Sequence, residues 1–529
     1  MAGEIVSTRA RDLDRRLRAI VSIFCFGSLA LATIGCAATV ETPQLPERDK
    51  AFIETADEFF PIALAELEVV PGLGVAVVRD GAVVYARGFG VTDYDSNTQV
   101  TADTLFYIAS STKSFTGLAI NLLDHRGDVD LNWILAELAP DIEFAPEINA
   151  DKVRLIDLLT HTHGLENDPI AFRLAFTGQH SPEKLWSLLA HTSVNEDAPL
   201  GEFDYGNVGY NIATILLERR LGKSWQELVE EEVLAPLAMT HTTTRVSAAK
   251  AKGHLFARPY FGPAPGGPRR IRLEKRDETM QSAGGMYASP ADIAQWLKVN
   301  LAASQGETVS SLPADVVAGA HRPIADLELE FNGFKRNHYG LGWYVGEYDS
   351  QDFVHAFGSF EGFRSHVSFM PERNLAVAVF ANESVIGSRF ADTAARFIYD
   401  WYADDESYET NAQAEVDQTK TLKPRIIAAL TQDAESRAEH KWEFTAPRSE
   451  YAGVYENDIL GSLTITETQA GFDIQFGAIE TELTPLGRPD TARVELTTFR
   501  GEIIRFVVDG DKVTGVDIQG GLFERISEK

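Results

Sequence analysis

The sequence predicts an α+β unit followed by a small all-β unit, and three observations predict it. Apolar strand-like runs stand at both ends of residues 51–403, while the middle of that span reads as helices and loops, so its sheet is assembled from distant segments. The composition turns polar and acidic after about residue 403, at "DDESYETNAQAEVDQTK". From Tyr451 onward, short alternating strands are separated by turn residues, the pattern of a sandwich or barrel. The chain of 529 residues is 44% hydrophobic and 24% charged, which suits a large core divided into about two to four units. A net charge of −30 disfavours contact with phosphate backbones and argues against a nucleic-acid partner.

Taken in order, residues 1–37 read as an export signal. Arg9, Arg11, Arg15, Arg16 and Arg18 form a basic start. The uncharged apolar run 19–34 is shorter than the ~20 residues a spanning helix needs. Small residues follow at Gly35-Cys36-Ala37-Ala38, as a cleavage site requires. Both cysteines, Cys25 and Cys36, fall in this segment, so the body of the protein carries neither a disulfide nor a thiolate metal site. "TIGC" also resembles a bacterial lipobox, with Thr33 where leucine is preferred. Lipidation at Cys36 therefore stands beside plain cleavage after Ala37, and a periplasmic or envelope-anchored location is expected.

Residues 38–50 are a polar linker. "AFIETADEFFPIALAELE" is helix-like, with Pro61 expected to interrupt it. "GLGVAVVRDGAVVYARGFGVTD" is a hairpin turning at Asp80-Gly81. Residues 114–220 alternate helical patterns with loops, and "FGPAPGGPRR" is a long loop. "FRSHVSFMPERNLAVAVFAN" is a second hairpin turning at Pro371-Glu372, followed by the amphipathic helix "SRFADTAARFIYDWYA". Residues 404–446 are a linker with a possible helix at 423–440. Residues 447–529 form the all-β unit, with a hairpin at Asp509-Gly510. Because the candidate motifs end before residue 403, removal of 447–529 is expected to leave a folded core.

Ser-x-x-Lys occurs three times: Ser110-Lys113, Ser181-Lys184 and Ser247-Lys250. Ser181 has a structural explanation as a helix N-cap, with Pro182 in the first helical position. "SAAKAK" at Ser247 reads as a polar turn or exposed helix. Only Ser110 stands between a strand-like run (Phe106, Tyr107, Ile108) and an apolar helix face (Phe115, Leu118, Ala119, Leu122). Residues three apart at a helix start share a face, and the free N–H groups there can receive an oxyanion. His161 and His163 lack the further ligands a metal site needs, and His161 is expected to be structural.

Five ordered blocks resemble the penicillin-recognising serine hydrolases, in their class C β-lactamase-related branch, over about residues 50–402. They are "FYIASSTKSFTG", "VRLIDLLTHTHGL" (with His163 in place of a serine), the long block opening "GEFDYGNVGYN", "SAGGMYASPADIAQWL" and "GFRSHVSFMPERNLAVAVFAN". The resemblance implies a β-lactamase/transpeptidase-like antiparallel sheet with a helical subdomain. By analogy, the all-β unit is lipocalin-like. It further implies acyl transfer to Ser110 and hydrolysis of an amide, ester or β-lactam, without a cofactor. The alternative is a catalytically inactive envelope-binding protein on the same fold.

In that resemblance Ser110 is the nucleophile, Lys113 its neighbour, and Tyr205 and Asn207 the second motif. Ser193-Val194-Asn195 imitates that motif but lies in a polar loop without the flanking blocks. A serine hydroxyl needs an adjacent base, and an ammonium at Lys113 would favour phenolate at Tyr205. The third motif, a Lys or His followed by any residue and Gly, is altered in "VHAFGSFEGF". With Gly358 as its glycine the basic position falls on Ala356, and His355 comes one residue early. Strand alternation would aim His355 away from Ser110 unless a β-bulge re-aims it. His355, brought round by such a bulge, is the expected basic group, with Arg364 or His366 on the next strand as substitutes. The backbone N–H groups of Ser110 and Ser359 are the expected oxyanion donors.

Overall fold

The computed structural model describes residues 45–518 and 520–526. The expected export segment, with Cys25 and Cys36, lies outside the described residues. Helix α1 (Glu47–Leu67) begins inside the span read as linker and runs straight through Pro61. Pro61 is on the exposed side, while Phe52, Ala56, Phe59, Phe60, Ala63 and Leu64 bury one continuous stripe. Packing of that stripe outweighs the ~3 kcal/mol that proline costs inside a helix.

The expected first hairpin forms as β1 (Gly72–Arg79) and β2 (Ala82–Gly90). Asp80 and Gly81 both have positive φ, 49° and 74°, as a two-residue turn with the right twist demands. Helix α2 (Thr112–Arg126) carries the candidate nucleophile region, α3 (Val208–Leu221) follows the second motif, and α4 (Pro290–Ser304) returns the chain to the sheet. Six strands then run as a meander: β3 (Ala325–Phe331), β4 (Phe334–Tyr339), β5 (Tyr344–Tyr348), β6 (Gln351–Phe360), β7 (Phe363–Met370) and β8 (Leu375–Ala381). The second expected hairpin is β7–β8, turning through Pro371–Arg373.

The eight strands make one antiparallel sheet in the order β3-β4-β5-β6-β7-β8-β1-β2. The hairpin at the start of the fold thus pairs with the last strand of the meander, Val75 opposite Val379. Helix α5 (Ile386–Tyr402) covers one face together with α1, burying Phe59, Val75, Val77, Phe390 and Phe397. Helices α2 and α4 cover the other, burying Ala76, Phe106, Phe115 and Trp296. Alternate residues of β1 therefore enter different cores, which is why the strand reads as a continuous apolar run.

The span 404–446 contains two helices rather than one, α6 (Tyr408–Lys420) and α7 (Leu422–Arg437). The all-β unit is a closed eight-stranded up-and-down barrel, β9 (Gly453–Asn457) to β16 (Gly521–Arg525), sealed by Tyr455 pairing with Arg525. Closure removes the free edges that an open sheet of short strands would expose.

Candidate active site

A short strand, Phe106–Tyr107, pairs with Tyr287–Ala288 and hands over to a single 3₁₀ turn, Ala109–Ser111, that runs into α2. Phe106 and Ile108 before the turn and Phe115 and Leu118 after it are all buried, so apolar anchors on both sides fix the junction. Ala109 takes φ 44°, a left-handed value unfavourable for a residue with a Cβ, and Ser110 follows it, partly exposed. Ser365 of β7 clamps the turn from beneath, donating to the Ile108 carbonyl at 2.7 Å and lying 2.8 Å from the Ser111 hydroxyl. Gly358 of β6 comes so close that a Cβ there would stand 1.9 Å from the Ile108 carbonyl oxygen. That position must be glycine for β6 to lie against the turn.

Lys113 lies one turn beyond Ser110, at the start of α2, and is fully buried. Its Nζ donates to Ser110 Oγ at 3.3 Å, to Asn207 Oδ1 at 2.8 Å and to the Ala283 carbonyl at 2.8 Å. It also faces the rings of Tyr205 and Tyr210, 5.0 and 5.7 Å from their centroids. All these partners are neutral, so burial pulls the ammonium down to about 7. Asn207 is the N-cap residue of α3, yet its side chain makes no capping bond, because its oxygen is committed to Lys113.

Tyr205 sits beside Ser110, and burial pushes its phenol up to about 12. This reverses the expected sharing of charge. Lys113 does not hold Tyr205 as phenolate; the buried lysine is the group that gives up its proton near neutrality, and the tyrosine keeps its own. Arg336 and Arg364 oppose the rise at Tyr205 without cancelling it. His161 packs under Tyr205, ring centroids 4.6 Å apart, and its burial holds it neutral.

The expectation for His355 is corrected. Strand β6 pairs with β5 and β7 in unbroken register through His355, so no bulge turns the side chain. His355 faces the side of the sheet opposite Gly358, where it is buried against Phe334 and Phe353 and accepts from Arg336 Nε at 3.2 Å. The regular alternation that requires this leaves Ala356 on the nucleophile's side. Of the two substitutes, His366 is buried and bonded to Asp392 at 2.9 Å. Arg364 is bonded to Asp392 at 3.0 Å and lies over Phe357, 4.9 Å from the ring. Ser359 is exposed on the part of β6 beyond its pairing with Tyr344, the first residue of β5, where the edge is open.

Arg336 escaped the sequence reading. Its guanidinium lies over Tyr344 and Phe357, 4.3 and 4.6 Å from the rings, and Phe357 in turn stacks near Tyr205 at 6.1 Å. Its only signal is an arginine at an inward position of the alternating strand "FKRNHY". The other Ser-x-x-Lys matches are structural. Ser181 caps the helix Pro182–Leu188 by accepting from the Lys184 amide at 3.2 Å. Ser247 is exposed and bonds Asp277. Asn195 of the imitation motif donates to Asp204 at 2.8 Å.

A turn-borne serine, a buried lysine bonded to it and an asparagine that forgoes its cap, set beside an antiparallel sheet, define the class of the penicillin-recognising proteins. The chain belongs to the Beta-lactamase family, whose model matches residues 63–400. It is 26% identical over 333 residues to "Unguisins hydrolase ungD'" of Aspergillus campestris, covering 61% of this chain and 60% of that protein. It is 25% identical over 315 residues to "Protein flp" of Staphylococcus aureus strain MW2, covering 59% and 60%. The chain thus spans about three fifths of the length of these curated relatives. The fold is shared with the octameric penicillin-binding protein homologue from Pyrococcus abyssi, at a TM-score of 0.55 and 20% identity over 89% of this chain and 99% of that one. D-amino acid amidase from Ochrobactrum anthropi SV3 matches with a TM-score of 0.51 and 22% identity, over 64% and 94%.

Proposed function

We propose that this protein is an exported serine hydrolase that cleaves esters or amides through an acyl-enzyme on Ser110. One observation carries the reading: a fully buried Lys113, without a carboxylate partner among the described residues, donates to Ser110 Oγ. A lysine so placed is available as a neutral amine near pH 7 and accepts the serine proton as Oγ attacks the substrate carbonyl. The N–H groups of Ser110 and Ser359 receive the oxyanion. Tyr205, which keeps its proton, passes one to the leaving group and is resupplied from Lys113. A water then attacks the acyl-enzyme by the reverse path. Arg336 and Arg364 give Tyr205 the positive surroundings that Ala356 cannot.

The relatives' names speak of hydrolysis and amide cleavage, in keeping with this chemistry. Location in the periplasm, with or without a lipid at Cys36, rests on residues 1–37 of the sequence alone. The test is treatment of the folded protein with a fluorophosphonate, followed by peptide mass analysis. A single adduct on Ser110, absent in Ser110→Ala, is expected. Folded protein that takes no label would favour the inactive binding protein instead.

A further inference from the structure

We propose that the cleft between the C-terminal barrel and the helical region beside Asn207 is the substrate's apolar-group site, and that the enzyme takes uncharged esters or amides bearing a bulky acyl or aryl group. The inference rests on the hydrolase reading above and names its substrate class. The cleft has a volume of about 860 Å³ and includes Asn207, whose oxygen holds Lys113, so one end of it reaches the residue next to the lysine that bonds Ser110. One wall is Phe172, Phe176 and Phe360 from the catalytic side, with Phe360 next in sequence to the oxyanion residue Ser359. The facing wall is Ile459, Leu460 and Leu522 from the barrel. Pockets of this size with apolar walls and one polar end suit a small organic ligand.

The barrel wall is fixed in place. The π-helical turn Arg173–Thr177 is its dock: the Ala478 amide donates to the Thr177 carbonyl at 2.8 Å, and Arg173 donates to the Asp458 carbonyl at 3.2 Å. Gln179 then exchanges two bonds with the Ser462 backbone, both 2.9 Å. Phe172 packs on Phe476 of the barrel at 5.3 Å. Charge decides the substrate class. Asp168 is the one charged residue in the described lining, so the cleft offers no cation to a free carboxylate and an acid that repels it. A peptide ending in D-Ala-D-Ala is disfavoured; a neutral aliphatic or aromatic group is favoured.

The experiment is a series of 4-nitrophenyl esters from acetate to octanoate with the full chain. We expect kcat/KM to rise by up to about fourfold per methylene buried, and Ile459→Asp and Leu522→Asp to flatten the series. Val454→Asp, exposed on the barrel and outside the cleft, should leave it as in the wild type. A second readout is free of turnover: Ser110→Ala protein should bind the neutral fluorophore N-phenyl-1-naphthylamine and release it to octanamide but not to acetyl-D-Ala-D-Ala. A flat ester series from protein that labels at Ser110, or no fluorophore binding by Ser110→Ala, overturns the proposal. Fluorophore binding by a chain that never labels at Ser110 supports the cleft and sinks the hydrolase reading.

Discussion

At the scale of single residues, the site turns on the unequal fates of two protonated groups. Lys113 is buried among neutral acceptors and falls to about 7, while Tyr205 is buried beside it and rises to about 12. In the proposed mechanism the neutral amine is the active form, so kcat/KM should climb from about pH 6 to pH 8 with a midpoint near 7. Lys113→Met should lose about 10²–10⁴-fold, the usual worth of a positioned base, with the limb abolished. Ser110→Ala should abolish turnover while folding is kept, and circular dichroism and thermal melting would check the second half. Ser181→Ala, by contrast, should cost about 1 kcal/mol of stability through its lost cap and leave the rate alone. Ser110, Lys113, Tyr205 and Asn207 were legible because their blocks are contiguous in sequence. The direction of charge between Lys113 and Tyr205 was not, because it depends on Lys113 having no carboxylate partner among the described residues, and only three-dimensional burial reveals that.

At the scale of elements, β6 and β7 lie directly against the turn that carries Ser110. Gly358→Ala would drive a methyl group into the Ile108 carbonyl, so β6 or the turn must move; activity should fall even in protein that still melts cooperatively. On the other face, Asp392 of α5 holds both Arg364 and His366 and is buried with them. Arg364 and His366 keep its carboxyl well below the usual range against the opposing effect of burial. Its folded pKa lies below its unfolded value of ~3.9, so its stabilisation is whole above that pH and is lost as pH falls toward the folded value. Asp392→Asn should destabilise by about 3–5 kcal/mol by leaving Arg364 unpaired, and should flatten the stability curve below pH 4; urea titrations across pH 2–7 would measure both. Both hairpins and α5 were readable from period and turn residues. The placement of His355 was readable as a conflict: strand alternation said it pointed away, and the unbroken register of β6 agrees with alternation. Arg336 was hidden, because no local pattern says that a strand arginine will lie over Tyr344 and Phe357.

At the scale of the whole molecule, the barrel and the unit that carries the candidate site share a core. Ile271 and Leu273 are buried with the barrel's Tyr451, Phe472 and Phe476, and Phe172, Phe176, Phe261 and Phe360 pack against the same cluster. The change in composition near residue 403 made a second unit legible, and its short alternating strands made it all-β. Its closure and its docking on Arg173–Thr177 depend on contacts between residues some 300 positions apart, such as Gln179 with Ser462, which no window of sequence reports. The expectation of an independent core after removal of 447–529 is revised accordingly. Truncation should bare those four phenylalanines, lower the melting temperature and raise binding of an apolar dye. A truncated chain with wild-type melting and no dye binding would show that the shared cluster is dispensable.

The most direct measurement is the rate of Ser110 phosphonylation by a fluorophosphonate as a function of pH, read on folded protein by mass spectrometry. A single adduct on Ser110 whose rate rises through a midpoint near pH 7, and which forms at least a hundredfold more slowly in Lys113→Met, is the outcome expected of a buried lysine that activates the serine. An adduct elsewhere, or a Ser110 rate indifferent to Lys113 and to pH between 6 and 8, would contradict it.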